Sequence, residues 1–292
     1  MGRIVAVVNQ NGGVRKTTTA GNLAAALTDL GKKGLLCDFD PQANASSGMG
    51  INKKKLGKTV YDTIIENIPA EEAIVHTKYA DVLPASADLA GAGVELISMP
   101  DANYRLQKVL QPVRELYDLI LIDCPPSLVL LTVNALAAAD SILVPVQCEY
   151  FALEGLSDLM ATLRAVKRKI NPSLEIFGVA LTMYDGRTNF SAQVAQEVRR
   201  HFPGKVFASG APRNIRLAEA PSHGLPVTVY DRSSRGAAAY RDMAAEVAKR
   251  LNTRRFNWHH KRAWEEALGH CWEISMKLPP KTPLTGCCRF IK

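Results

Sequence analysis

The chain has no Cys-x-x-Cys pair, no internal repeat and no low-complexity linker. Its longest mostly apolar stretch, Leu128 to Ala139, is broken by Thr132 and Asn134 and closed by Asp140. A bilayer-spanning helix needs about 20 apolar residues, so none is expected. Cys37, Cys124 and Cys148 stand far apart in apolar, strand-like surroundings, and Cys271, Cys287 and Cys288 fall near the end. That distribution indicates neither a zinc site nor a disulfide framework, and buried reduced thiols are expected instead. Helix-turn-helix and zinc-finger patterns are absent too, so sequence-specific nucleic-acid recognition is not indicated. The opening residues run straight into a strand-like segment without a signal-peptide pattern, which makes a cytoplasmic location the expectation. With 47% hydrophobic and 22% charged residues, the composition excludes a disordered or fibrous chain.

The charge is uneven. Residues 1–152 hold 13 Lys and Arg against 16 Asp and Glu, and residues 153–252 hold 15 against 9. Any polyanion-binding surface is therefore expected in the second half. Continuous apolar runs at Ile4–Val8, Gly34–Cys37, Leu119–Ile122, Ile142–Val146 and Ile176–Leu181 read as strands buried on both faces. Between them Ala20, Leu23, Leu27 and Leu30 recur at helical spacing, as do Leu153, Leu156, Met160, Leu163 and Val166. Tyr240, Met243, Ala244, Val247 and Leu251 mark a last amphipathic helix. This alternation predicts an α/β fold: one doubly wound, mainly parallel sheet with helices on both faces.

The first strand leads into Asn9-Gln10-Asn11-Gly12-Gly13-Val14-Arg15-Lys16-Thr17-Thr18 and then a helix. Strand, glycine-containing loop, Lys-Thr and helix form the setting of a phosphate-binding loop. Backbone N–H groups of such a loop and of the helix N-terminus point at phosphate oxygens. Lys16 would neutralise terminal phosphates, and the Thr17 hydroxyl would ligate Mg²⁺. Asp40 follows the second strand, and Asp123 follows the strand Leu119–Ile122. Residues just past strand C-termini face the ligand crevice of such sheets. Asp123 therefore reads as the carboxylate of the magnesium hydration shell, and Asp40 as the one that orients an attacking water.

These motifs resemble those of the ParA/Soj-type partitioning ATPases, in the deviant-Walker group that includes MinD. So do Asp38–Gly48, Asp81–Ser86, Tyr117–Ser127, Pro145–Gly155, Thr182–Asn189 and Pro212–Gly224. The resemblance covers about residues 2–252. It implies an ATPase that binds ATP and Mg²⁺, forms a nucleotide-sandwich homodimer and coats non-specific DNA in the nucleoid. It also implies a ParB-like centromere-binding partner that stimulates hydrolysis. No stable membrane association is expected. By the same resemblance Gly12, Gly13, Val14, Arg15, Lys16, Thr17 and Thr18 cradle the phosphates, and Met183, Pro212 and Asn214 frame the adenine. The DNA surface would use Arg187, Arg213, Arg216 and Arg235, with Arg232, Lys249 and Arg250 beside them.

The loop departs from the family pattern Lys-Gly-Gly-x-Gly-Lys-Thr-Thr at two places. Asn11 replaces the lysine that crosses to the partner's nucleotide, and Arg15 replaces the glycine before Lys16. Impaired activity is expected. Two alternatives stay open: a nucleotide-binding regulator without turnover, and a MinD-like ATPase of the membrane surface. Residues 253–292 differ in kind. They hold all three tryptophans, three of the six cysteines and 8 Lys and Arg against 3 Asp and Glu. This basic tail is expected to add nothing to the core.

Overall fold

The computed structural model describes residues 2–127, 130–149 and 152–252. The expectations for the tail at 253–292 lie outside the described residues. Seven strands form one sheet: β1 Arg3–Val7, β2 Gly34–Asp38, β3 Val75–His76, β4 Asp81–Leu83, β5 Leu119–Asp123, β6 Ser141–Gln147 and β7 Glu175–Thr182. Their spatial order is β3-β4-β2-β5-β1-β6-β7. Every pairing is parallel except β3 with β4.

Side chains alternate across the sheet, as the two-residue period of a strand requires. From β1, Ile4 and Ala6 face one core, and Val5 and Val7 the other. The first core is closed by α2 Arg105–Val113, α3 Leu130–Ala138, α4 Ala152–Lys169 and α5 Asn189–His201. The second is closed by α1 Lys16–Asp29 and α6 Arg235–Asn252. Helices thus cover both faces, and both are apolar along their sheet-facing stripes. Gly31, at φ 75, ends α1 by donating to the Thr28 carbonyl, a position that suits a residue without Cβ.

Three of the expected strands begin one residue earlier, at Arg3, Ser141 and Glu175. Their apolar runs mark only the buried span, while the hydrogen-bond ladder continues into the polar rim. There Asp140 accepts from the Ile4 amide at 2.8 Å and pairs with Arg114. Strands β3 and β4 were not expected. They are two and three residues long, too short to show a period. Cys37, Cys124 and Cys148 are buried and free, as expected.

Candidate functional site

The loop after β1 is held from several sides. Asn9 donates from its side-chain amide to the Pro145 carbonyl at 2.7 Å and accepts from the Asn11 amide at 3.0 Å. Thr182, at the end of β7, donates to the Val14 carbonyl at 3.1 Å. Gly13 has φ 76 and exposes its backbone, with no atom within 4 Å of where a Cβ would stand. Arg15 caps α1 in the left-handed conformation, φ 67 and ψ 37. A non-glycine residue there carries strain of roughly 1–3 kcal/mol. Its guanidinium makes no hydrogen bond or ion pair among the described residues. Burial pushes the hydroxyl of Tyr240 on α6 up to about 12, while the Thr19 hydrogen bond and then the Arg15 charge act in the opposite sense. Asn11 turns its side-chain amide onto Gly155 of α4, close enough that a Cβ at Gly155 would overlap it. The short side chain therefore lies against its own chain.

Lys16, the first residue of α1, donates to the Asn11 carbonyl at 3.0 Å. Burial lowers its pKa, and the charges of Asp123, Cys124 and Asp40 act in the opposite sense. Lys16, Asp40 and Asp123 thus converge at the C-terminal edge of the central strands. The register explains why: Asp123 lies beside Val7 on β1 and beside Asp38 on β2.

Asp123 is fully buried, and neither carboxylate oxygen has a hydrogen-bond partner among the described residues. The Thr17 hydroxyl is near enough to lower its pKa but does not complete a bond. Burial first, and then the neighbouring Asp38, push this carboxyl well above its ordinary range. An unpaired buried carboxylate costs several kcal/mol. Its presence is therefore not explained by stability.

Asp38 is equally buried but satisfied. It accepts from the Ser46 amide at 2.7 Å and the Ser46 hydroxyl at 2.6 Å, and its pKa is raised to about 6 by burial. This anchor fixes the loop that carries Asp40. Asp40 in turn accepts from the Gln42 amide at 2.9 Å, which shapes a tight turn. The anchoring role of Asp38 has no separate signal in the sequence, because Asp38 and Asp40 look alike there.

The segments of Met183 and Pro212 are joined: Tyr184 bridges to Pro212, and its amide donates to the Ala211 carbonyl at 3.1 Å. Met183 is left-handed, at φ 51. Beside this joint lies a cavity of about 540 Å³, lined by Tyr184, Asp185, Arg187, Pro212, Arg213 and Arg235 among others. Met183 and Asn214 do not line it, and Asn214 accepts from the Arg216 amide at 2.8 Å. Three of the four expected DNA-binding arginines therefore share one polar cavity. Arg187 is tied to Asp185, while Arg213 and Arg235 make no hydrogen bond or ion pair among the described residues. Arg216 lies apart and pairs with Glu219 at 2.8 Å and Asp231 at 3.3 Å. Arg250 departs from the expected surface. It donates to the Phe177 and Lys205 carbonyls and stacks 4.2 Å over Phe207, so it holds the fold together.

Comparison with known proteins gives these features a context. An AAA-domain family model matches residues 2–176. The chain is 52% identical to the sporulation initiation inhibitor protein Soj of Bacillus subtilis over 250 residues, covering 85% of this chain and 99% of that one. It is 49% identical to the chromosome partitioning protein ParA of Myxococcus xanthus, covering 86% and 89%. The chain belongs to the Soj/ParA family of partitioning ATPases. Its fold is also that of cobyrinic acid a,c-diamide synthase from Mycobacterium smegmatis, solved with bound ADP and magnesium. The TM-score there is 0.76 and the identity 35%, over 87% of this chain and 97% of that one. This Soj/ParA chain has no helix among its described residues long and apolar enough to cross a membrane.

Proposed function

We propose that residues 2–252 act as a partitioning ATPase domain that binds ATP with Mg²⁺, pairs with a second copy around the nucleotides and then binds DNA of any sequence. A ParB-like centromere-binding protein stimulates its hydrolysis, and the chain works on the nucleoid. The observation that carries this reading is the buried, unpaired Asp123 carboxylate beside Thr17 at the head of α1. A magnesium ion matches that donor set of one hydroxyl and one carboxylate beside the loop that would hold the phosphates. Gly12, Gly13, Val14, Arg15, Lys16, Thr17 and Thr18 receive the phosphates, and Met183, Pro212 and Asn214 flank the base. Asp40 orients the attacking water. The magnesium-bound nucleotide supplies the electrophilic phosphorus, and the protein contributes position and charge.

Two residues weaken the site. Arg15 strains the loop and brings a long side chain to a tight turn. Asn11 offers no charge to a partner's nucleotide, where a cationic group is worth factors of roughly 10³–10⁵ in rate. The same two residues favour a second reading, in which the chain binds nucleotide and regulates without turnover. Calorimetric titration with Mg·ATP tests the binding half. Restoring Arg15→Gly should tighten binding by about tenfold or more, the scale of 1–3 kcal/mol of relieved strain. Equal affinity in the two proteins would show that Arg15 is accommodated without cost.

A further inference from the structure

The loop that carries Asp40 and the segment that carries Arg216 meet backbone to backbone. The loop leaves the Asp38–Ser46 anchor, turns through Ala43 at φ 50, passes the short helix Asn44–Gly48 and reaches Gly50 at φ 81. The other segment starts with the helical turn Arg216–Glu219, continues through Ala220–His223 and ends at Gly224 at φ 65. A Cβ added to Gly224 would stand 2.9 Å from the Gly50 Cα, and one added to Gly50 would stand 3.1 Å from the Gly224 carbonyl oxygen. No side chain lies between them that is able to yield. Beside this contact a cavity of about 380 Å³ opens between the two segments and α1, lined by Thr17, Asn44, Gly48, Pro221 and Leu225 among others. The segments also approach at Gly48 and Pro221, where a Cβ on Gly48 would make ordinary contact at 3.9 Å, so the two glycines are the backbone contact that has no slack.

The Arg216 segment is itself braced. Arg216 pairs with Glu219 and Asp231, the Tyr230 hydroxyl donates to Glu219 at 3.3 Å, and His223 stacks on Tyr230 at 4.9 Å. A shift imposed at Gly224 therefore reaches Arg216. The cavity between the segments borders Thr17, the residue assigned above to the magnesium ion, so a change there bears directly on the Asp40 loop.

We propose that the Gly50–Gly224 contact is a coupling joint, through which the position of the Asp40 loop sets that of the Arg216 segment. It rests on the reading of the nucleotide and DNA sites given above, and adds the place where one acts on the other. Coupling of this kind is reciprocal: the factor by which nucleotide tightens DNA is the factor by which DNA tightens nucleotide.

The test is the affinity of the full chain for a random-sequence duplex, with and without a magnesium-loaded, non-hydrolysable ATP analogue at saturation. The ratio of the two is the coupling factor, expected at about 5–150-fold in the unaltered chain. Gly224→Ala and Gly50→Ala should each bring it below about twofold, while affinity for the analogue without DNA changes by less than about twofold. Gly50→Ala is the milder clash and carries the test if Gly224→Ala fails to fold. The controls are Gly31→Ala and Gly204→Ala, at φ 75 and φ 68, where nothing lies within 4 Å of the added Cβ. They impose the same left-handed penalty without the contact, and should leave the factor unchanged. A factor retained in both joint variants, or lost equally in the controls, overturns the joint alone. A factor of one in the unaltered chain with analogue bound overturns the joint together with the reading of the sites.

Discussion

Asp123, at the end of β5, and Arg15, at the head of α1, sit in conformations or environments that cost free energy. Asp123 buries a carboxylate whose two oxygens have no hydrogen-bond partner among the described residues. Replacing it by Asn removes a group that burial disfavours in its charged form. Asp123→Asn should therefore raise the melting temperature of the nucleotide-free chain at pH 7, by several degrees if one to two kcal/mol is recovered in a domain of this size. The same change should remove the magnesium dependence of nucleotide binding. A lower melting temperature, with magnesium dependence kept, would place the ion elsewhere. Both residues were legible in part from sequence. Asp123 ends an apolar strand, and Arg15 stands where a tight loop suits glycine. The left-handed backbone at Arg15 follows from the loop's closure onto Pro145 and Thr182, residues far away in the chain. Asn11 was read as a missing charge, but its seat on Gly155 depends on how α4 packs and had no local signal.

Among the elements, the turn after α5 carries a different titration, at Lys205 beside Arg250 of α6. Burial lowers the pKa of Lys205 to about 8, partly offset by Glu175 and reinforced by Arg250 and Arg3. The unfolded lysine holds its proton up to its ordinary value of 10.5, while the folded one has lost it above about 8. Between those values the unfolded state binds more protons, so stability rises with pH. Thermal unfolding of the unaltered chain should show that rise between about pH 8 and 10, and Lys205→Met should lose it. An unchanged slope in the variant would assign the titration to another group. The long apolar strands and amphipathic helices were readable from their periods, because burial on two faces leaves continuous runs. Strands β3 and β4 were not, because pairing of β4 with β2 and of β3 with β4, rather than composition, makes them strands. The breadth of the basic half was overestimated for a related reason: Arg250 shares the helix period of α6 but turns toward carbonyls and Phe207.

At the scale of the whole molecule, a neutral-to-acidic first half is joined to a basic half in which Arg187, Arg213 and Arg235 border one cavity. DNA binding through arginine–phosphate contacts releases counterions, so affinity should fall steeply and log-linearly with salt, equally for all sequences. Changing Arg187 and Arg216 to Glu should lower affinity for every duplex and reduce that slope. Both arginines already hold carboxylate partners, so on binding DNA they would exchange one anion for another. An unaltered slope, or a strong preference for one sequence, would move the surface elsewhere on the molecule.

The central claim is that this chain keeps the Soj/ParA site but is slowed by Arg15 and Asn11. Single-turnover ATP hydrolysis with and without DNA measures it most directly, comparing the unaltered chain, Arg15→Gly, and Arg15→Gly with Asn11→Lys. The account predicts weak, barely stimulated hydrolysis in the unaltered chain. It predicts recovered binding with slow turnover in the single variant, and DNA-stimulated turnover in the double variant. Hydrolysis by the unaltered chain at the rate of the double variant, stimulated by DNA to the same degree, would contradict it.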